Sequence, residues 1–481
     1  MLRHGIPWIL VSFASGSALI CRAPHLQSVQ EEPMASRKVH RERPDKALDE
    51  LFDLDRNALP KDPRIDEIVN GYMYGLGADL PNPKDRHRVP GAAVVVRQGK
   101  RVVHLNCYGY ANLESGAKIT PDTVFDLGSL SKQFTAIAVL DLVNRKKLDI
   151  TDRLSKFFEG FPRYADDITV EDLIHHTSGL PDYLAIYVES RRAEKDWYHV
   201  ALAKPDEWYP RMPTGKKEIT NKEVLKWIAT QTLLPRPPDS EYQYSNSGYV
   251  VLAKLVERVT KKRFASLLRK KLFVPFGMKD TYVFDEASNF SEDAPEVVNH
   301  ARCYNRVSGQ GFVPVGYTPM NFITGDGNVH STIVDLAIWE NLLTELDDLS
   351  DRTESGGLRE TLWSPVKLKN RKLVDYGWGW NLLSDKYEVK VKGKEVTRKY
   401  ESRAEYHHGI WLAWRSYIAR GSRWVVPEPG KSIDPKTFES LGIVVLSNNN
   451  QFNTCRIAQD ISRVYWGPLK KDNIMNHFNC G

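Results

Sequence analysis

The sequence predicts an α/β fold whose mainly antiparallel sheet is built from both chain ends and flanked by helices, with a mostly helical second region. Three observations predict it. Two β-rich runs, 90–97 and 101–108, are separated only by Gln98-Gly99-Lys100, which reads as a hairpin. β-rich runs return near the other end, at 410–418, 423–426 and 442–447. The stretch between carries helical patterns, and strands enclosing a helical middle close most simply into one sheet with the helices beside it.

Taken in order, the chain begins with Arg3 and His4 before the apolar run 6–20. That run has the length of a secretory signal and is too short and too broken by Ser and Gly for a comfortable membrane span. Residues 1–23 are therefore expected to be a signal peptide or anchor, which predicts export to a periplasmic or extracellular space. The end of the run, Cys21-Arg22-Ala23 before Pro24, is poor for cleavage, so an uncleaved N-terminal anchor is the alternative. Residues 24–60, rich in Glu, Arg, Lys and Pro, read as a disordered linker.

A catalytic domain is expected over 61–469, with sheet at about 90–128 and 405–466, a helical region at about 129–400, and a tail at 470–481. A first helix is placed at 63–74, a capped one after Thr169, whose partner is Asp172, another over 252–276, and a last one over 455–466. The charged stretch 184–240 is expected to cover a site rather than build the core.

The formal charge of +6 on 481 residues is small. The densest basic clusters, Lys261-Lys262-Arg263 and Arg269-Lys270-Lys271, interleave with Phe264, Leu267, Leu268 and Leu272 at helical spacing. They read as the solvated face of an amphipathic helix, not as a nucleic-acid surface. Five cysteines are too few for a disulfide scaffold; one or two bridges and buried free thiols both stay open. His175 and His176 are adjacent, which is not a zinc-ligand spacing on a helix, and no cofactor or metal is called for.

Chemistry centres on Gly128-Ser129-Leu130-Ser131-Lys132, which opens an apolar helical run, 134–143. Residues three apart share a helical face, so the Lys132 amine can reach the Ser129 hydroxyl. Burial lowers an amine's proton affinity and lets it activate a neighbouring hydroxyl as a nucleophile. Tyr244 and Asn246, two apart in extended or turn backbone, can point into one cleft. A phenol beside an ammonium is expected to have a lowered pKa, making Tyr244 a proton carrier. His407 and Gly409 stand at the start of the predicted strand 410–418, where glycine lets the backbone of Ile410 approach a substrate.

Each motif alone is weak. Together, in this order, they resemble the serine β-lactamase and penicillin-binding-protein superfamily, in its class C β-lactamase, D-alanyl-D-alanine carboxypeptidase, esterase and D-aminopeptidase branch. The matching residues are Ser129/Lys132, Tyr244/Asn246 and His407/Gly409, and 176–181, 275–278, 325–332 and 376–380 also look like the family. The resemblance runs from about 90 to 466 and implies a β-lactamase-like fold and acyl transfer through a covalent acyl-enzyme.

It implies that Ser129 is the nucleophile and that Lys132 and Tyr244 share the acid and base work. Asn246, His407, Gly409 and Ile410 would bind substrate, Asn246 holding either Lys132 or the substrate amide, with the Ser129 and Ile410 N–H groups in the oxyanion hole. The implied partner is a small-molecule or peptide substrate. His407 stands where penicillin-processing members carry lysine, which favours an ester, amide or D-amino-acid peptide over a β-lactam. A cell-wall-peptide or penicillin sensor without turnover is the rival reading.

Overall fold

The computed structural model describes residues 58–78, 80, 86–184, 219–231, 234–285, 299–315, 322–350, 358–390, 397–427, 437–467, 473–478 and 480. The expected leader, nearly all of the linker, and most of the charged stretch 184–240 lie outside the described residues.

Six strands form the central sheet: β1 (Ala92–Gln98), β2 (Arg101–Tyr108), β6 (Asn381–Lys390), β7 (Thr397–Trp411), β8 (Trp414–Val425) and β9 (Glu439–Ser447). They lie in the order β6-β7-β8-β9-β1-β2, every pair antiparallel. The N-terminal hairpin thus docks on the C-terminal strand, with Val95 opposite Val444 in the middle of the join. A small second sheet, β3 (Val124–Asp126), β5 (Val329–Thr332) and β4 (Tyr282–Val283), sits beside it in the order β3-β5-β4.

Two apolar cores cover the two faces, as a sheet buried on both sides requires. On one face α1 (Pro63–Ala78) and α7 (Thr454–Trp466) pack through Ile65, Val69, Ile457 and Ile461. On the other lie α2 (Ser131–Asn144), α3 (Val170–Ile174), α4 (Asn221–Thr230), α5 (Asn246–Thr260) and α6 (Ile333–Ser350), through Phe134, Val139, Tyr249 and Leu336. The capping box at α3 is present, Thr169 and Asp172 satisfying each other's backbone N–H groups. Among the described residues no helix is long and apolar enough to cross a membrane.

Three expectations need correction. The run 410–418 is not one strand but parts of two joined by a tight turn: β7 ends at Trp411 and β8 starts at Trp414, with Leu412 in the left-handed region at φ +49°. The sheet also reaches into the region expected to be helical, because β6 and the first part of β7 pair 381–390 with 397–406. Their alternation is masked in sequence by charged residues on both faces, held by cross-strand pairs such as Lys399 with Glu388. Finally, the helix expected over 252–276 breaks at Lys261, which takes φ +56° as a helix C-cap, and resumes as Phe264–Leu268 with a π turn. Cys455 and Cys480 form a disulfide, while Cys107 and Cys303 are free thiols.

Candidate active site

The turn that carries Ser129 is set by what surrounds Gly128. Gly128 adopts φ +53°, and a Cβ there would stand 2.8 Å from the Ile410 nitrogen, so only glycine lets β7 come this close. Residues 128–130 form a 3-10 turn that runs straight into α2. Ser129 is part-exposed between buried neighbours.

Lys132 is fully buried, and its Nζ lies 3.0 Å from Ser129 Oγ, 2.7 Å from Asn246 Oδ1 and 2.9 Å from the Asp326 carbonyl. The Asn246 amide cannot be turned round without loss, because its Nδ2 donates to Asp182 Oδ2 at 2.8 Å, as does its backbone N–H. Two of the three partners of Lys132 are therefore pure acceptors. A neutral amine has two N–H bonds and one lone pair; the bonds match Asn246 and Asp326, and the lone pair is left for the Ser129 proton. Burial lowers the Lys132 pKa to about 8, opposed by the charges of Asp326 and Asp182. The neutral base is thus within reach near physiological pH.

Tyr244 presents its ring to Lys132, with Nζ 4.9 Å from the centroid. The expected fall in its pKa is not what the surroundings produce. Burial pushes the phenol well above its usual value, and the neighbouring Ser129 hydroxyl only opposes this. Tyr244 is therefore a neutral hydroxyl able to pass a proton on, rather than a resident phenolate.

The 176–181 segment seats the Tyr244-Ser245-Asn246 segment. His176, at φ +59°, takes the Ser245 N–H on Nδ1 at 3.1 Å and the Gln243 N–H on its carbonyl at 2.8 Å. Its ring lies 4.2 Å from that of Tyr244. Tyr183 donates to Asp326 Oδ2 at 2.8 Å, and burial raises the Asp326 pKa to about 6. Asp182, Tyr183 and Asp326 were not singled out from sequence. The available signal was position alone: the first two follow 176–181 directly, and Asp326 lies inside the segment 325–332.

His407 is buried, not turned to solvent. Its Nδ1 must donate to the His408 carbonyl at 2.7 Å, so Nε2 accepts from the Tyr376 hydroxyl at 3.1 Å. Burial and the Lys132 charge drive its pKa down to about 3, leaving a neutral ring. Gly409 is a packing necessity, since a Cβ there would overlap the Leu127 carbonyl and Ser416 Oγ. Ile410, by contrast, is 59% exposed at the mouth of the site. Gly379, at φ +84°, lets the 376–380 loop lie on the backbone of Gln133 at the start of α2. Beside Tyr376 a cleft of about 330 Å³ opens, lined also by Tyr242, Leu373 and Asn381.

The geometry can be compared with known proteins. The profile of the beta-lactamase family matches residues 65–464. The chain belongs to the beta-lactamase family. It is 27% identical over 346 residues to penicillin-binding protein 4* of Bacillus subtilis, covering 70% of this chain and 66% of that one. It is also 27% identical over 346 residues to a D-aminopeptidase of Brucella anthropi, covering 71% of this chain and 55% of the relative. The chain thus spans between about half and two thirds of these relatives' length.

Among solved structures, an octameric penicillin-binding protein homologue from Pyrococcus abyssi aligns with TM-score 0.58 and 23% identity, over 85% of this chain and 79% of that one. A D-amino acid amidase from Ochrobactrum anthropi, complexed with L-phenylalanine amide, aligns with TM-score 0.54 and 20% identity, over 82% and 97%. At such identities these two establish the β-lactamase-like fold and nothing finer.

Proposed function

We propose that this chain is a serine hydrolase that works through an acyl-enzyme on an ester, an amide or a D-amino-acid peptide. One observation carries the reading: the buried Lys132 amine lies 3.0 Å from Ser129 Oγ, with its two N–H bonds claimed by Asn246 and Asp326. Lys132 takes the Ser129 proton as Oγ attacks the substrate carbonyl, and the Ser129 C–O bond forms as the carbonyl becomes an oxyanion. The N–H groups of Ser129 and Ile410 receive that oxyanion, each worth about 10²–10³ in rate. Tyr244 relays the proton to the leaving group, which departs as alcohol or amine, and water then releases the acyl chain by the reverse steps.

Asn246 holds Lys132, while His407 and Gly409 support the β7 wall that presents Ile410 to the substrate. The neutral His407 offers no cation to a substrate carboxylate, which favours esters and D-amino-acid amides or peptides over β-lactams. The relatedness to a D-aminopeptidase supports the same choice. Export belongs to the proposal, supported by the apolar run 6–20 and by the Cys455–Cys480 disulfide, a bond of oxidising compartments.

Intact-protein mass after exposure to a fluorophosphonate tests the reading. The expected result is one adduct on the wild type and none on Ser129→Ala. A folded wild type that takes no adduct refutes an activated serine, and equilibrium binding of cell-wall peptides would then test the sensor reading.

A further inference from the structure

Behind the nucleophile turn, on the small sheet, lies a row of buried polar groups that the reaction scheme does not use. Asp126 of β3 stands opposite His330 of β5, and His330 opposite Tyr282 of β4. Residues directly opposed in antiparallel strands present their side chains on one face. His300 joins the row from the bridge beside Val124.

The proton positions follow from the partners. His300 Nδ1 lies 2.9 Å from the Ala301 carbonyl, an acceptor only, so that nitrogen carries the hydrogen. Its Nε2 is then a lone pair, and His330 Nδ1, 2.7 Å away, must be the donor. The remaining nitrogen, His330 Nε2, is thereby an acceptor too. It is buried without a hydrogen-bond partner, and Asp126 Oδ2 stands 3.6 Å from it. The other carboxyl oxygen, Asp126 Oδ1, takes the Gly128 N–H at 2.8 Å, the peptide that leads into Ser129.

We propose that Asp126 is a positioning residue for the nucleophile turn, holding the Gly128 N–H through Oδ1 while the proton on its Oδ2 serves the buried His330–His300 pair. This inference rests on the acyl-enzyme reading above. It explains why an acid sits two residues before the turn glycine in an otherwise apolar strand. With the Gly128 N–H held on Oδ1, Gly128 keeps the left-handed angle that lets the Ile410 backbone lie against the turn. A misplacement of about 1 Å in such a constellation costs about 10²-fold in rate.

The groups facing Asp126 agree. His330 and His300 are held neutral by burial, as are the Tyr282 phenol and the Cys303 thiol, while Asp326, in the loop before β5, adds negative charge. Nothing in this set stabilises an Asp126 carboxylate except the Gly128 N–H, and burial raises its pKa to about 7. Ionised, Asp126 would face the His330 lone pair and set a negative charge beside the forming oxyanion. Reaction is therefore expected to slow as pH rises through about 7 by this route, while deprotonation of Lys132 near 8 speeds it; their product is a narrow maximum between the two.

The test is the rate of fluorophosphonate labelling against pH for the wild type, Asp126→Asn and Asp126→Ala. Asparagine keeps an Oδ1 acceptor and supplies an Nδ2–H to His330, but does not titrate. We expect Asp126→Ala to label about 10- to 100-fold more slowly, Asp126→Asn to recover most of that loss, and the falling limb to vanish in Asp126→Asn. Should Asp126→Ala fail to fold, the Asp126→Asn profile alone decides: a plateau above pH 8 supports the proposal, and a retained falling limb overturns it. Asp126→Ala labelling at the wild-type rate overturns it as well. A wild type that takes no label at all refutes the acyl-enzyme reading, and this inference falls with it.

Discussion

At the scale of the residue, Lys132 decides what the site can do. Its amine is fully buried, and its acceptors leave the lone pair for Ser129. Lys132→Ala and Tyr244→Phe are each expected to lower kcat by about 10²–10⁴, the usual worth of a positioned base or acid. Steady-state hydrolysis of a nitrophenyl ester measures both, and a loss under tenfold removes that residue from the scheme. The pH dependence has a definite sign. Burial lowers the Lys132 pKa to about 8, so the base form grows as pH rises. kcat/KM on an uncharged ester is therefore expected to rise with pH up to the maximum between about 7 and 8, and Lys132→Ala should lack that rising limb. His407, driven down to about 3, contributes no limb between pH 5 and 9.

At the scale of the element, the site exists because β7 and the nucleophile turn touch backbone to backbone. Gly409 is the point of contact: the Leu127 carbonyl and Ser416 Oγ, themselves hydrogen-bonded at 2.6 Å, leave no room for a methyl group. Gly409→Ala is expected to push β7 outward, carrying the Ile410 N–H away from the site. Fluorophosphonate labelling should then fall by about 10²-fold or more, with a lower melting temperature read in the same samples. Unchanged labelling would show that Ile410 lends nothing to the oxyanion. The sequence pattern announces the glycine but not this reason, since the backbone it would strike is Leu127, 282 positions away in the chain.

At the scale of the whole molecule, the sheet is a closure of the two chain ends, sealed by separate cores on its two faces. The C-terminal tail takes part in the second of these. Phe478 packs 4.5 Å from the Tyr406 ring, and Cys480 is bonded to Cys455 of α7 across 25 residues. Opening that bridge by Cys480→Ser is expected to cost about 2–4 kcal/mol, read as a lower melting temperature in the variant or in wild type under reductant. Because the bridge lies on the face away from Ser129, the labelling rate at room temperature should not change. A drop in labelling with no change in melting would contradict this layout.

The sequence by itself determined the pairing of Ser129 with Lys132, the hairpin at 90–108, the capped helix after Thr169 and the union of the two chain ends in one sheet. These rest on short-range rules: helical spacing, alternation, caps and turns act between residues a few positions apart. Only the tertiary structure decided that a turn at 412–413 splits the run 410–418 between two strands, that 381–390 and 397–404 belong to the sheet and that the Tyr244 phenol is held neutral. It alone showed that Asp182, Asp326 and Asp126 stand around the reacting groups. Those outcomes depend on what burial and distant partners do to a charge or a backbone angle, and desolvation is a property of the folded interior that no local pattern encodes.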